Sequence, residues 1–462
     1  MGFWWLLWAA VAIFLVAAAA VLLHVLIRAY LNLWADLLLS KVFSKPYAGN
    51  LWEGVTAIRH MGVQWLVENE LRTATGRPLP KPIGTHRPFP HFDGLLFAPA
   101  QLTRRPLGAE VPVDIKVKLG PRAARPLTLE MPVMVTAMGY GVALSKPFSL
   151  AIAKGTGQAK TAFNTGQGPV LPEHLQSAHR IVMQYHGGNG RAPEAILQQA
   201  HMVEIRFGQG ANGGYSTQVD PHTLDSEVYR DLSGNGRVPA DKLIIPAGLP
   251  EVGRPRDLRH LIRHLRKLTG GVPIAVKLAA SHHLEAELAI ICAAGADVIV
   301  LDGAQGGTFG SPGILVDDFG LPTLAALVRA VQFLRREGWD KRVDLVVSGG
   351  VRTPGDMLKA VALGAKAVYI GSAALFATLH SQIVKATPYD PPTQLAWATG
   401  RLKNRFDSRQ GAASLAAFLT SCGEEMQVGL RALGKTSLAE LGREDLAAWD
   451  AEVARVTGLP LM

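Results

Sequence analysis

The sequence predicts an α/β protein: a (β/α)8 TIM barrel with an N-terminal transmembrane helix and a helical C-terminal extension. Three observations predict it. From about residue 131, short apolar strands alternate with helical stretches, the pattern of parallel β/α construction. Eight such strands can be counted before residue 378. No GxGxxG turn follows an early strand, which sets aside a doubly wound dinucleotide sheet.

The first element is FWWLLWAAVAIFLVAAAAVLLHVLI, residues 3–27, with His24 as its one titratable side chain. At a rise of about 1.5 Å per residue it is long enough to cross the hydrocarbon core of a bilayer. No basic region precedes it, as a cleaved signal peptide would require, so it is read as an anchor. Trp4, Trp5, Trp8 and Trp34 bracket the apolar run as interfacial residues do. Arg28, Lys41 and Lys45 follow against Asp36 alone, which orients the remainder of the chain into the cytoplasm, a single-pass protein of the cytoplasmic membrane. Residues 28–130 form a juxtamembrane and preface region, in which PLPKPIGTHRPFPHFDGLLF reads as an irregular surface segment.

The barrel is assigned to 131–378. Its strands are 132–137, 162–164, 180–185, 202–207, 273–279, 297–303, 343–349 and 367–372. The long interval at about 208–272 implies an insertion after the fourth strand. Residues 379–462 read as a helical extension outside the barrel.

Composition excludes several function classes. The net charge is +10, but no finger spacing, helix-turn-helix pattern or aromatic-interleaved basic stripe accompanies it, so no nucleic-acid partner is expected. The densest basic stretch, from Arg104 and Arg105 through Lys116 and Lys118 to Arg122 and Arg125, fits a solvated face or a surface near anionic lipid. Cys292 and Cys422 are the only cysteines, too few for a disulfide framework or a Cys-ligated cluster, and no metal site is expected.

Chemistry in such barrels gathers at the C-terminal ends of the strands, with phosphate held after strands seven and eight. Those strands end at Ser348-Gly349-Gly350 and Gly371-Ser372, where free backbone N–H groups suit an anion. Lys277, near the end of strand five, offers a cation at the mouth or a salt bridge inside the barrel. Glu204 and Arg206 share one face of strand four and point inward if Val203 and Ile205 face the helices. Gln209 follows in the close-approach loop GQGANGG. Asp302 ends strand six before a loop carrying Gly303, Gly306 and Gly307. It could anchor a ligand hydroxyl or amine, or cap its own loop. TAMGYG, with Ala137, Met138 and Gly139, and NTGQGP, with Asn164, Thr165 and Gln167, complete the rim. His282 and His283 are adjacent, face differently, and are taken as mouth residues, not metal ligands.

In this order, TAMGYG, NTGQGP, VEIRFGQGANGG, AVKLAA, LDGAQGGTFGSP and SGGVRTPGDMLKAVALGAKAVYIGSAALF resemble the FMN-binding synthase domain of glutamate synthase over about residues 130–378. The resemblance implies bound FMN, with its phosphate on the Gly349-Gly350 and Gly371-Ser372 loops and Glu204 and Lys277 near flavin and substrate. It implies reduction of 2-iminoglutarate, made from 2-oxoglutarate and ammonia, to glutamate. Three features depart from the family: Cys422 stands alone where the family's 3Fe–4S cysteines cluster, so no iron–sulfur cluster is expected; the chain opens on the apolar segment and not on a Cys-nucleophile amidotransferase domain; and the anchor is foreign to the soluble enzymes.

The expected activity is hydride exchange between FMN and a small amino or imino acid. Lys277 stabilises the reduced flavin, and Glu204 and Gln209 position the substrate. Electrons or ammonia would come from a separate protein, a soluble reductant or a quinone. A 2-hydroxy acid dehydrogenase-like enzyme, or a membrane-bound flavin scaffold or sensor, are the alternatives.

Overall fold

The computed structural model describes residues 2–233 and 243–462; the part of the expected insertion at 234–242 lies outside them. The chain divides into two compact units, Met1–Leu79 and Pro80–Met462.

In the first unit a single helix runs from Gly2 to Ser44, well past the predicted end at 27. Its segment Leu7–Ser44 is long and apolar enough to cross a membrane, and none of its most apolar window is buried. Two shorter helices follow, Leu51–Met61 and Val63–Thr75, broken by Gly62 at φ +80°. Asn50 makes the elbow. Its amide nitrogen donates to the carbonyls of Val42 and Lys45, while its oxygen caps the next helix by accepting from Trp52 N–H. One side chain thereby satisfies orphan groups at both helix ends.

The second unit is built on a closed parallel barrel. We label its strands β1 (Val133–Val135), β2 (Ala162–Asn164), β3 (Arg180–Tyr185), β4 (Met202–Arg206), β5 (Ile274–Ala279), β6 (Val298–Asp302), β7 (Asp344–Ser348) and β8 (Ala367–Ile370). All eight fall within the predicted ranges. β8 pairs with β1 at Ile370↔Val135 and closes the ring. Helices follow the strands: α1 (Lys146–Gln158), α2 (Pro172–Ser177), α3 (Glu194–Leu197), α4 (Pro255–Leu268), α5 (Leu284–Ala294), α6 (Thr323–Arg336), α7 (Pro354–Ala362) and α8 (Ser372–Leu379). The strands are nearly all buried because helices cover the outside and side chains fill the inside, so they read as continuous apolar runs.

The insertion after β4 contributes an antiparallel pair, Thr217–Val219 with Leu243–Ile245, and the helix Ser226–Ser233. A hairpin, Val117–Leu119 with Leu127–Leu129, closes the bottom: Gly120 N–H donates to Asp344 at the start of β7. At the C-terminus the helix Ser408–Ala432 packs along α1 and α8, and Leu446–Ala448 pairs with Leu95–Phe97. The Pro-rich preface differs from its reading as a surface segment. Phe92 and Leu95 are fully buried, because residues 80–97 pack across the barrel mouth and its neighbouring helices. Cys292 and Cys422 are both buried as free thiols.

Candidate active site

The C-terminal mouth opens into a cavity of about 960 Å³, counted with its open entrance. Its place at the C-terminal ends of the strands is where barrels of this kind bind their ligands. Of the residues singled out in the sequence, Ala137, Met138, Gly139, Gln167, Gln209, Lys277, Asp302, Gly307, Ser348, Gly349, Gly350, Gly371 and Ser372 line it. Asn164, Thr165 and Glu204 are buried below its surface, and Gly303 and Gly306 stand behind its wall. His282 and His283 lie away from it, at the start of α5.

Lys277 is the charged centre of the floor, its side chain 2 % exposed. Its ammonium lies 3.3 Å from Asp302 Oδ2 on the neighbouring strand and 3.4 Å from Thr136 Oγ1, and 5.9 Å from the centre of the Tyr369 ring. Asp302 offsets the cost of burying that charge, and its second oxygen, Oδ1, has no partner. Burial pushes the Tyr369 hydroxyl well above its ordinary pKa, so it stays protonated.

Beneath Lys277, β2, β3 and β4 place a polar layer inside the barrel. Glu204 Oε1 accepts from Asn164 Nδ2 at 3.0 Å and from Gln184 Nε2 at 2.7 Å, and Asn164 Nδ2 also reaches Tyr369 Oη at 3.2 Å. Glu204 Oε2 and Gln184 Oε1 are buried without partners. Arg206 projects inward one step higher. It donates to Asn212 Oδ1 at 3.2 Å and, with the Gln167 amide turned to present its oxygen, to Gln167 at 3.0 Å. Burial lowers the Arg206 pKa to about 10, against the opposing pull of Asp302 and Glu204. His186, past the end of β3, is driven to about 3 by burial, with Arg206 and Arg191 adding to the effect, so it is neutral.

The opposite end of the cavity is a backbone cradle. Gly349 at φ +107° and Gly350 at φ +77° occupy conformations that side chains rarely adopt. A Cβ on Gly349 would lie 2.7 Å from Thr323 Oγ1 and 2.9 Å from Gly303 O. Thr323 Oγ1 donates to Gly349 O at 2.7 Å and holds the loop. Across the cradle, Gly371 and Ser372 open α8, whose first amides lack helical acceptors. Arg352, two residues past Gly350, also lines the cavity. Sequence reasoning missed Thr136, Gln184, Arg352 and Tyr369. Gln184 and Tyr369 carried one usable signal, a polar atom inside an otherwise apolar buried strand.

Together these groups give one cavity a turn of bare backbone and helix-opening amides at one end and a buried lysine with polar neighbours at the other. The family model described as the conserved region in glutamate synthase matches residues 105–436. A glutamate synthase large subunit-like protein of Rhizobium meliloti is 34% identical over 423 residues, covering 86% of this chain and 93% of its own. An archaeal-type glutamate synthase [NADPH] of Thermotoga maritima is 32% identical over 412 residues, 84% of this chain and 80% of its own. The chain therefore belongs to the glutamate synthase conserved-region family. The flavin-binding domain of baker's yeast flavocytochrome b2 shares the fold, with a TM-score of 0.51 at 18% identity and 83% of each chain covered. Among the described residues, no group of three or more His, Cys, Asp and Glu side chains is placed to hold a metal ion.

Proposed function

We propose that this protein is an FMN-dependent oxidoreductase acting on a small carboxylate substrate, tethered to the cytoplasmic membrane by its N-terminal helix. The observation that carries the proposal is the union, in one cavity, of a two-loop anion cradle and a buried lysine. Family membership supports it. The residues fit FMN: Gly349 and Gly350, held at positive φ, put a turn of backbone without side chains against the cavity, and the orphaned oxygens of Asp302 and Gln184 would accept from ribityl or ring donors. Bound FMN would supply two-electron chemistry at its ring.

The chain's own groups then have distinct tasks. Gly349, Gly350, Gly371 and Ser372 hold the phosphate through backbone N–H groups, with Arg352 beside them. Lys277 brings positive charge to the floor, where negative charge developing on a ring or a substrate is stabilised. Asp302 and Thr136 fix that ammonium. Gln209 and Gln167 present amides to the substrate from the rim, and Asn164, Thr165 and Glu204 brace the floor from below. Val142, Phe309 and Trp397 wall the cavity and exclude water.

An amino or imino acid, such as glutamate or 2-iminoglutarate, is the substrate class that the family favours. A 2-hydroxy acid is the second reading, supported by the barrel shared with flavocytochrome b2. Electrons come from NADPH, as the Thermotoga relative's name suggests for that protein, or from a partner protein or a quinone in the same membrane. The test is the absorption spectrum of detergent-purified full-length protein, followed during anaerobic addition of NADPH, amino acids and 2-hydroxy acids in turn. A yellow protein bleached by one class identifies that half-reaction. A colourless protein that FMN does not reconstitute overturns the proposal.

A further inference from the structure

We infer that His91 is a positioning residue for the phosphate end of the cavity, fixing Arg352 and the Gly350 carbonyl relative to each other; this rests on the FMN reading above. His91 belongs to the preface segment that crosses the mouth, outside the barrel sequence. Its Nδ1 lies 2.9 Å from Arg352 Nη2, and its Nε2 lies 2.8 Å from Gly350 O. A guanidinium only donates, so Nδ1 accepts and the ring proton sits on Nε2, which donates to the carbonyl. One imidazole thus ties the Arg352 side chain to the loop from which it springs.

The remaining contacts aim the guanidinium. Asp93 Oδ2 accepts from Nη2 at 2.9 Å, and Asp356 Oδ2 stands 3.7 Å from Nε. Nη1 makes no hydrogen bond among the described residues and is left for a ligand. Arg352 is otherwise a long, half-exposed side chain that would lose much rotamer freedom on capturing a phosphate. Holding it in advance reduces that loss. The holder is itself clamped: Lys359 Nζ on α7 donates to Phe92 O at 3.0 Å, and Trp449 Nε1 donates to Asp93 O at 2.8 Å. Gly350 itself sits at φ +77°, and a Cβ there would stand 2.9 Å from Gln305 Cβ, so the loop that His91 holds is a tight one.

The test compares FMN with riboflavin, which lacks the phosphate, by fluorescence quenching on full-length apoprotein in detergent. In His91→Phe, FMN affinity should fall about 10- to 100-fold, the scale of a lost charge-assisted hydrogen bond, while riboflavin affinity stays at the wild-type value. Should that variant lose both flavins alike, His91→Leu decides. It is smaller than Phe and, like it, offers Arg352 no acceptor, and the same selective loss is expected. A wild-type ratio of FMN to riboflavin affinity in the deciding variant overturns the inference. Wild-type protein that binds both flavins equally removes the phosphate site and the inference with it. Wild-type protein that binds neither overturns the FMN reading itself.

Discussion

Two buried histidines make the stability of the barrel pH-dependent at the level of single residues. His174 accepts from Leu171 N–H at Nδ1 and meets Ser149 Oγ at 3.0 Å, and burial lowers its pKa to about 4 from an ordinary 6.5. His186 is lowered further, to about 3. Both are neutral in the folded protein and protonate more readily once unfolded. Their contribution is therefore fully present above pH 6.5 and is lost as pH falls from there toward 4 and 3. The loss reaches about 1.4 kcal/mol per pH unit for each histidine in that window. Urea midpoints measured at pH 7, 6 and 5 should fall steadily, and His174→Gln should flatten the slope even though it lowers the midpoint at pH 7. Parallel slopes for wild type and variant would show that this imidazole does not titrate on unfolding.

At the scale of elements, the loop after β7 and the loop after β8 make unequal demands on their glycines. Gly349 sits at φ +107° with Thr323 Oγ1 and Gly303 O both within 3 Å of any Cβ, whereas a Cβ on Gly371 meets only Thr136 Cγ2 at 3.1 Å. Strained backbone of the first kind costs on the order of 1–3 kcal/mol. Gly349→Ala should therefore purify with most of its flavin lost, and Gly371→Ala with most retained, read as the ratio of visible to protein absorbance. Equal retention would remove Gly349 from the cradle. The same two loops mark how far the sequence could be read. Strand bodies such as AVKLAA and VDLVVSG were legible because strands covered on both faces are written as apolar runs, and the cradle glycines were legible because they end those runs. The Asp302 and Thr136 contacts of Lys277, and the His91 contacts of Arg352, were not. Each joins residues whose proximity exists only once the ring closes or the preface folds across it. Residues 28–44, read as the start of the juxtamembrane region, continue the first helix because their polar residues interrupt the apolar pattern without breaking it, with no Gly or Pro between Arg28 and Ser44.

For the whole molecule, the question is what the N-terminal helix does for a catalytic unit that already has its own core. Its large side chains are exposed from Trp4 to Phe43, and within its own unit no described residue buries this apolar length. Leaving it in water is costly, and a bilayer is the environment that matches a run of this composition. Full-length protein should sediment with membranes and resist alkaline carbonate. The double substitution Leu15→Lys and Ala18→Lys puts two charges in the middle of the span, each costing about 2.5–3.5 kcal/mol there. That variant should shift to the carbonate-soluble fraction while its flavin content per protein stays unchanged, because the cradle and Lys277 lie wholly in Pro80–Met462. Wild-type protein released by carbonate would mean that the helix is covered by another protein surface. Flavin lost along with membrane attachment would mean that the bilayer, and not the barrel alone, holds the site in its working form.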